Sequence, residues 1–211
     1  MEKNQYKEAV QRLEALDVRS DAFNNYEKAV LHQNLGYAYA SVNDYPKAVE
    51  AFEECLSFKA LPKETTLAVM QNLGQLYVAT EQYDKGIAIL EAWINQSGGK
   101  DISPHLRVLL GDAYLNKADY AKAAVQFKQA IAGVVRPEKS WIQLLAAAYQ
   151  QWGNDAEAAE ALQQGVTLYP DEKSFWQQLA MTYRQMHDDG KAAATLALSC
   201  DVGLCESKDI A

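Results

Sequence analysis

Three histidines, three cysteines and one tight acidic pair are the residues on which catalysis or metal binding in this chain would have to rest. His32, His105 and His187 stand far apart, and neither an HExxH nor a Cys-x-x-Cys spacing occurs. A zinc site needs several such ligands converging at close range. Gly98-Gly99 is not followed by Lys-Ser/Thr, so it makes no phosphate cradle. Asp188-Asp189 runs into Gly190 and reads as a turn between helices rather than a general acid/base pair. Cys55 falls on an apolar helix face and reads as a small core residue. Cys200 and Cys205 flank Asp201-Val202-Gly203-Leu204. A turn at Gly203 would join them as a disulfide in an oxidising compartment, and otherwise they are two free thiols. The expectation is a protein that is no enzyme, with no catalytic residue, no cofactor and no metal.

The elements around these residues are helical. Of 211 residues 49% are apolar, with only 5 prolines and 11 glycines, and Ala, Leu, Gln, Glu and Lys are abundant. The net charge of −8, without a clustered Lys/Arg stripe, argues against nucleic acid and anionic membrane surfaces as partners. No apolar run approaches the roughly 18 residues of a membrane span, so direct membrane insertion is not expected. Met1 leads straight into the charged, amphipathic Glu2 to Leu16, with no signal peptide visible.

One pattern recurs along the chain: Leu, a small residue, two variable residues, then Tyr. It appears as Leu35-Gly36 with Tyr39, Leu73-Gly74 with Tyr77, Leu110-Gly111 with Tyr114, Leu145-Ala146 with Tyr149, and Leu179-Ala180 with Tyr183. In phase with it run Ala48, Gly86, Ala123, Ala158 and Ala192, each followed four residues later by Phe52, Leu90, Phe127, Leu162 or Leu196. Ala9 with Leu13 extends the second series upstream, with no first series before it. Residues four apart share a helix face, and the small residue between Leu and Tyr lets a second helix approach closely. Asp44, Asp119 and Asn154 read as N-caps of the second helices, Ser103 with Pro104 as the start of a first helix, and Pro46 falls in a first turn.

A period of about 34 residues with Leu-Gly-x-x-Tyr, then Ala and Phe, resembles the tetratricopeptide repeat (TPR). The resemblance implies an all-α, right-handed α-solenoid of antiparallel helix pairs, a TPR superhelix, as a single array over 1–211. Its parts are a lone second helix at 1–20, repeats at about 25–61, 63–98, 103–136, 137–170 and 171–200, and a truncated further unit at 201–211. The incomplete ends suggest a piece of a longer array and leave end-to-end contacts open. The aromatic usual near the start of the first helix is present as Trp176 and one residue displaced as Trp141; His32, Met70 and Arg107 replace it elsewhere.

The first helices of such repeats line a groove that takes an extended peptide or a helix. Projection onto this chain places there Gln33, Asn34 and Tyr37; then Gln71, Asn72 and Gln75; then His105, Asp112 and Asn116. Gln143, Gln150 and Gln151 follow from the fourth repeat, and Gln177, Met181, Arg184 and Gln185 from the fifth. Co-chaperone TPR domains clamp a C-terminal carboxylate with cationic residues. One arginine in an amide-rich groove offers little to offset carboxylate desolvation, so the expected partner is a neutral protein or peptide surface. The glutamines equally suit plain soluble helices. Trp93, Trp141, Trp152 and Trp176 read as packing residues rather than binding platforms, and among them Trp152 beside Gly153 is the best candidate for an exposed anchor.

The stretches Pro137 to Tyr149, Leu168 to Ala180 and Lys191 to Leu198 are similar to the periplasmic TPR proteins associated with TonB–ExbB–ExbD systems. Tyr26-Glu27-Lys28-Ala29 fits the same pattern, whereas paired cysteines at 200 and 205 depart from it while suiting an oxidising periplasm. That resemblance implies a periplasmic accessory scaffold of energised outer-membrane uptake. A TPR adaptor of another assembly, such as pilus or outer-membrane biogenesis, a peptide-sensing domain, and a cytoplasmic location stand as the alternatives.

Overall fold

Each Leu-small-x-x-Tyr stretch folds as one helix and each Ala-x-x-x-Phe/Leu stretch as the next. The structure, a computed structural model, describes residues 2–99 and 102–204, with side chains from Gln5 onward. Among these residues it is all helical: α1 (Glu2–Asp17), a single 3-10 turn (Ser20–Ala22), α2 (Asn25–Ser41), α3 (Tyr45–Ser57), α4 (Lys63–Ala79), α5 (Tyr83–Ser97), α6 (Pro104–Asn116), α7 (Tyr120–Ala132), α8 (Lys139–Trp152), α9 (Asp155–Leu168), α10 (Lys173–Gln185) and α11 (Asp189–Asp201). The chain divides into two compact units, Met1–Asp101 and Ile102–Ala211. The first holds α1 and two helix pairs, the second three helix pairs. Most of the truncated unit expected at 201–211 lies outside the described residues.

The small residue of each first helix has a definite opponent. A Cβ on Gly36 would lie 2.5 Å from the Phe52 ring, and one on Gly111 would lie 2.7 Å from that of Phe127. The helix backbone itself therefore rests on the ring, and both phenylalanines are fully buried. In the first unit the core forms two clusters. One is built around Leu31, Leu35, Tyr39, Ala48 and Ala51, the other around Phe52, Cys55, Val69, Leu73 and Tyr77.

The turn inside each pair repeats as strictly as the core. Asn43, Glu81, Ala118, Gly153 and His187, each four residues past a repeat tyrosine, have φ of 65°, 61°, 58°, 81° and 58°. The next backbone N–H donates to that tyrosine's carbonyl at 2.8–2.9 Å. This is the left-handed helix stop, which glycine meets without steric cost. Only the fourth copy has glycine there. Ala118→Gly is therefore expected to raise stability by about 0.5–1 kcal/mol, since relief of the left-handed alanine outweighs the added chain entropy of the unfolded state. A rise in the urea midpoint at unchanged slope measures it.

Second helices then start on Asp44, Asp119 and Asp188, whose carboxylates accept the N–H of Lys47, Lys122 and Lys191 at 3.4, 3.3 and 3.0 Å. Asn154 occupies the same place without a side-chain cap. The acidic pair is corrected here: Asp188 is a helix cap and Asp189-Gly190 open α11, while the turn bends at His187. The Lys191 backbone and ammonium hold the Asp188 carboxyl below the ordinary carboxylate range. One start passed unread in the sequence: Asn24 and Glu27 form a reciprocal capping box on α2.

Candidate interaction surface

Repeat-to-repeat contacts use part of the expected groove for the fold's own cohesion. On α2, Asn34 donates to its own helix, the Val30 carbonyl, at 2.7 Å. Asn72 of α4 donates to the Ala68 carbonyl at 2.8 Å and reaches the Tyr37 hydroxyl of α2 at 3.3 Å. In the second unit Gln143 of α8 donates to Ser174 Oγ at 3.2 Å, and Gln150 to Thr182 Oγ1 at 2.9 Å, both one repeat away. Thr182 is fully buried and donates in turn to the Gln178 carbonyl at 2.8 Å. These amides tie first helices together. Asn116 donates to the Asp112 carbonyl at 2.9 Å, and burial raises the Asp112 carboxyl above its ordinary range. His105, largely exposed, meets Trp141 edge-on with ring centres 5.1 Å apart and lies 3.4 Å from Glu138.

The remaining groove positions stand open. Gln75 is exposed on α4, and Gln33 and Gln71 are half-buried. On α10, Gln177, Met181 and Arg184 recur at helical spacing along one face, all exposed, with Met181 at 64%. Trp152 at the end of α8 is 49% exposed, whereas Trp141 and Trp176 are buried and Trp93 is half-buried. The first unit's expected groove residues include no Lys or Arg, and the second unit's include Arg184.

Behind the first helices runs a buttress that sequence reasoning missed. Tyr39 donates to Glu14 of α1 at 2.8 Å, Tyr77 donates to Glu53 of α3, and Gln163 of α9 donates to the Tyr183 hydroxyl at 2.6 Å. Lys47, Lys85, Lys122 and Lys191 lie 5.1–5.4 Å over the rings of Tyr39, Tyr77, Tyr114 and Tyr183. Burial and the Glu14 and Glu53 carboxylates push both phenols, Tyr39 and Tyr77, well above their ordinary range. Hydrogen bonds from Tyr77 and Lys85 hold Glu53 below the ordinary carboxylate range. The readable signal was a lysine directly before the small residue in four of the five second helices.

Among the described residues no cluster of three or more His, Cys, Asp and Glu side chains is placed to hold a metal, and no helix is long and apolar enough to cross a membrane. His32 is buried between Asp17 and Glu54, 3.5 and 2.9 Å away, and stacks on Phe58 as a packing residue. Cys55 is free and buried, and desolvation pushes its thiol up to about 11. Cys200 is disulfide-bonded, while Cys205 lies outside the described residues.

Comparison with known proteins supports the repeat reading. A family profile described as tetratricopeptide repeat matches residues 29–60, 67–95, 104–132 and 142–172, more than half of the chain. No curated protein sequence matches. Among solved structures, a MamA protein superposes with a TM-score of 0.67 at 16% identity, covering 83% of this chain and 91% of that one. A MamA from AMB-1 gives 0.66 at 21% identity, covering 85% and 94%. A MamA fragment from Desulfovibrio magneticus RS-1 gives 0.62 at 17%, covering 83% and 94%. Likeness at this identity is a likeness of fold.

Proposed function

Since the chain belongs to the tetratricopeptide repeat family, we propose that it is a non-catalytic scaffold that holds a protein partner against the exposed faces of its first helices. The observation that carries this reading is the α10 stripe. Gln177, Met181 and Arg184 make one continuous exposed face with an apolar centre and polar flanks, and no hydrogen bond among the described residues occupies the two polar side chains. A flexible thioether between an amide and a guanidinium suits a partner helix or strand with apolar anchors and neutral or singly acidic flanks. A bare carboxylate terminus finds a single arginine there, which favours side-chain recognition over terminus clamping.

The compartment on this reading is the periplasm. A disulfide-bonded Cys200 supports it, because such bonds persist in oxidising compartments. The likeness of 137–198 to accessory proteins of TonB–ExbB–ExbD systems supports a partner among the periplasmic parts of such a system. The test is titration calorimetry of the purified chain with the periplasmic domains of a TonB-type and an ExbD-type protein. Binding to one of them is expected, weakened at least about tenfold by Met181→Asp at unchanged thermal midpoint. Binding indifferent to Met181→Asp and Gln177→Glu would move the site off α10. Silence from both domains would withdraw the TonB assignment.

A further inference from the structure

The tyrosine buttress is reversed at one joint. Glu14 and Glu53 accept the hydroxyls of Tyr39 and Tyr77 and pair with Lys47 and Lys85 at 3.5 and 2.9 Å. Gln163 donates to the Tyr183 hydroxyl, and Lys191 covers that ring. In each case the acid or amide directly follows the large apolar residue of one second helix, and the lysine directly precedes the small residue of the next. Around Tyr149 the charges change places: Lys128 follows Phe127, and Glu157 precedes Ala158. The reversed pair does not close. Among the described residues no ion pair joins Lys128 to Glu157, no cation covers the Tyr149 ring, and no hydrogen bond engages its hydroxyl. Glu160, nearly one turn beyond Glu157, is also unpaired. These groups surround an open hollow of about 240 Å³ in the interior of the second unit. Lys128 reaches it from α7, Glu157 and Glu160 from α9, and both helices pack on α8, which supplies Tyr149. Buried Ile131 and Leu145 lie at its apolar side. The corresponding hollow beside Tyr39 carries internal pairs instead, with His32 between Asp17 and Glu54.

We propose that this hollow binds a free α-amino acid with an apolar side chain, its ammonium on Glu157 and Glu160 and its carboxylate on Lys128 and the Tyr149 hydroxyl. The chain itself supplies the template. At the Tyr39 and Tyr77 joints one ammonium and one carboxylate, side by side, fill the place between ring and hydroxyl. The ammonium stands 5.1–5.4 Å over the ring at four joints, where an aromatic face attracts it. An α-amino acid carries the same two groups on one carbon. At Tyr149 it supplies the missing pair, and the reversed residues complement it: Glu157 stands where the ammonium belongs, and Lys128 where the carboxylate belongs. A ligand with one charge would leave Lys128 or the two glutamates unanswered. The hollow is smaller than the usual site of a drug-sized molecule, which suits a ligand of amino-acid size, and Ile131 with Leu145 receives its apolar side chain. Lys128, Glu157 and Glu160 are exposed, so solvent screens their attraction and binding is weak, with a Kd on the order of millimolar.

The test is an NMR titration of the methyl-labelled full chain with leucine, N-acetyl-leucine and leucinamide. Leucine is expected to shift the Ile131 and Leu145 methyl signals saturably. N-acetyl-leucine, which lacks the ammonium, and leucinamide, which lacks the carboxylate, bind at least about tenfold more weakly. Lys128→Glu weakens leucine binding by the same factor. The double variant Lys128→Glu with Glu157→Lys rebuilds the bridge of the other joints inside the hollow. It is expected to abolish the saturable shifts while its thermal midpoint stays level or rises, so that loss of binding is not loss of fold. Met181→Asp leaves leucine binding unchanged, which separates this site from recognition at α10. The absence of saturable shifts, equal affinity for leucine and leucinamide, or binding retained by the double variant would overturn the proposal.

Discussion

Phe127→Ala is expected to cost about 3–5 kcal/mol of folding stability, read as a fall in the urea midpoint at unchanged slope. The ring is fully buried and lies against the backbone of α6 at Gly111, so the void it leaves is walled by helix rather than by side chains free to move in. The same contact predicts a coupling. Gly111→Ala alone puts a carbon 2.7 Å from the ring and costs about 1–3 kcal/mol through overpacking. Phe127→Leu shortens the opponent and makes room for it. The chain already uses both solutions: glycine faces phenylalanine in α2–α3 and α6–α7, whereas Ala146 pairs with Leu162 and Ala180 with Leu196 in α8–α9 and α10–α11. The double variant should lose clearly less than the two single losses together. Additivity within about 0.5 kcal/mol would mean that the glycine and the ring do not share one space.

That pairing was legible because it repeats. Leu, a small residue and Tyr at helical spacing, followed by Ala and Phe or Leu, dictate which faces meet, and five copies make the register unambiguous. The left-handed stops were half legible. Gly153 and Asn43 announce the conformation, but Glu81, Ala118 and His187 adopt it against their own preference because the helices on either side fix the turn. For the same reason Asp188-Asp189-Gly190 read as the bend when the bend lies one residue earlier. The groove was legible as a row of helix positions and not as a set of free groups. Gln150 looks like Gln177 in the sequence, yet its amide is held by Thr182, 32 residues on, and Gln143 is held by Ser174, 31 residues on. Polar residues separated by one repeat on first helices are the signal that tells a cross-link from a contact surface.

Trp176→Ala is expected to cost about 3–5 kcal/mol, and Trp152→Ala less than about 0.5 kcal/mol, although both change the same residue type in neighbouring first helices. Trp176 is 7% exposed and its indole N–H donates to the Pro170 carbonyl at 2.9 Å, so it fastens the start of α10 to the Tyr169-Pro170-Asp171 connection. The counterparts of Trp176 in the other first helices are His32, Met70, Arg107 and Ile142, which fill the place by other means. Ile142 takes it in α8, leaving Trp141 one residue earlier to pack edge-on against His105. Trp176→Phe separates the two contributions of the indole: it keeps most of the buried area and drops the donor, for a loss of about 1 kcal/mol. Thermal melts of the three variants decide the matter. Equal losses at 152 and 176 would mean that Trp152 is a packing residue, which would remove it as an anchor for a partner. A small loss at 176 would mean that α10, and with it the Gln177–Met181–Arg184 stripe, is held by its contacts with α9 and α11 alone.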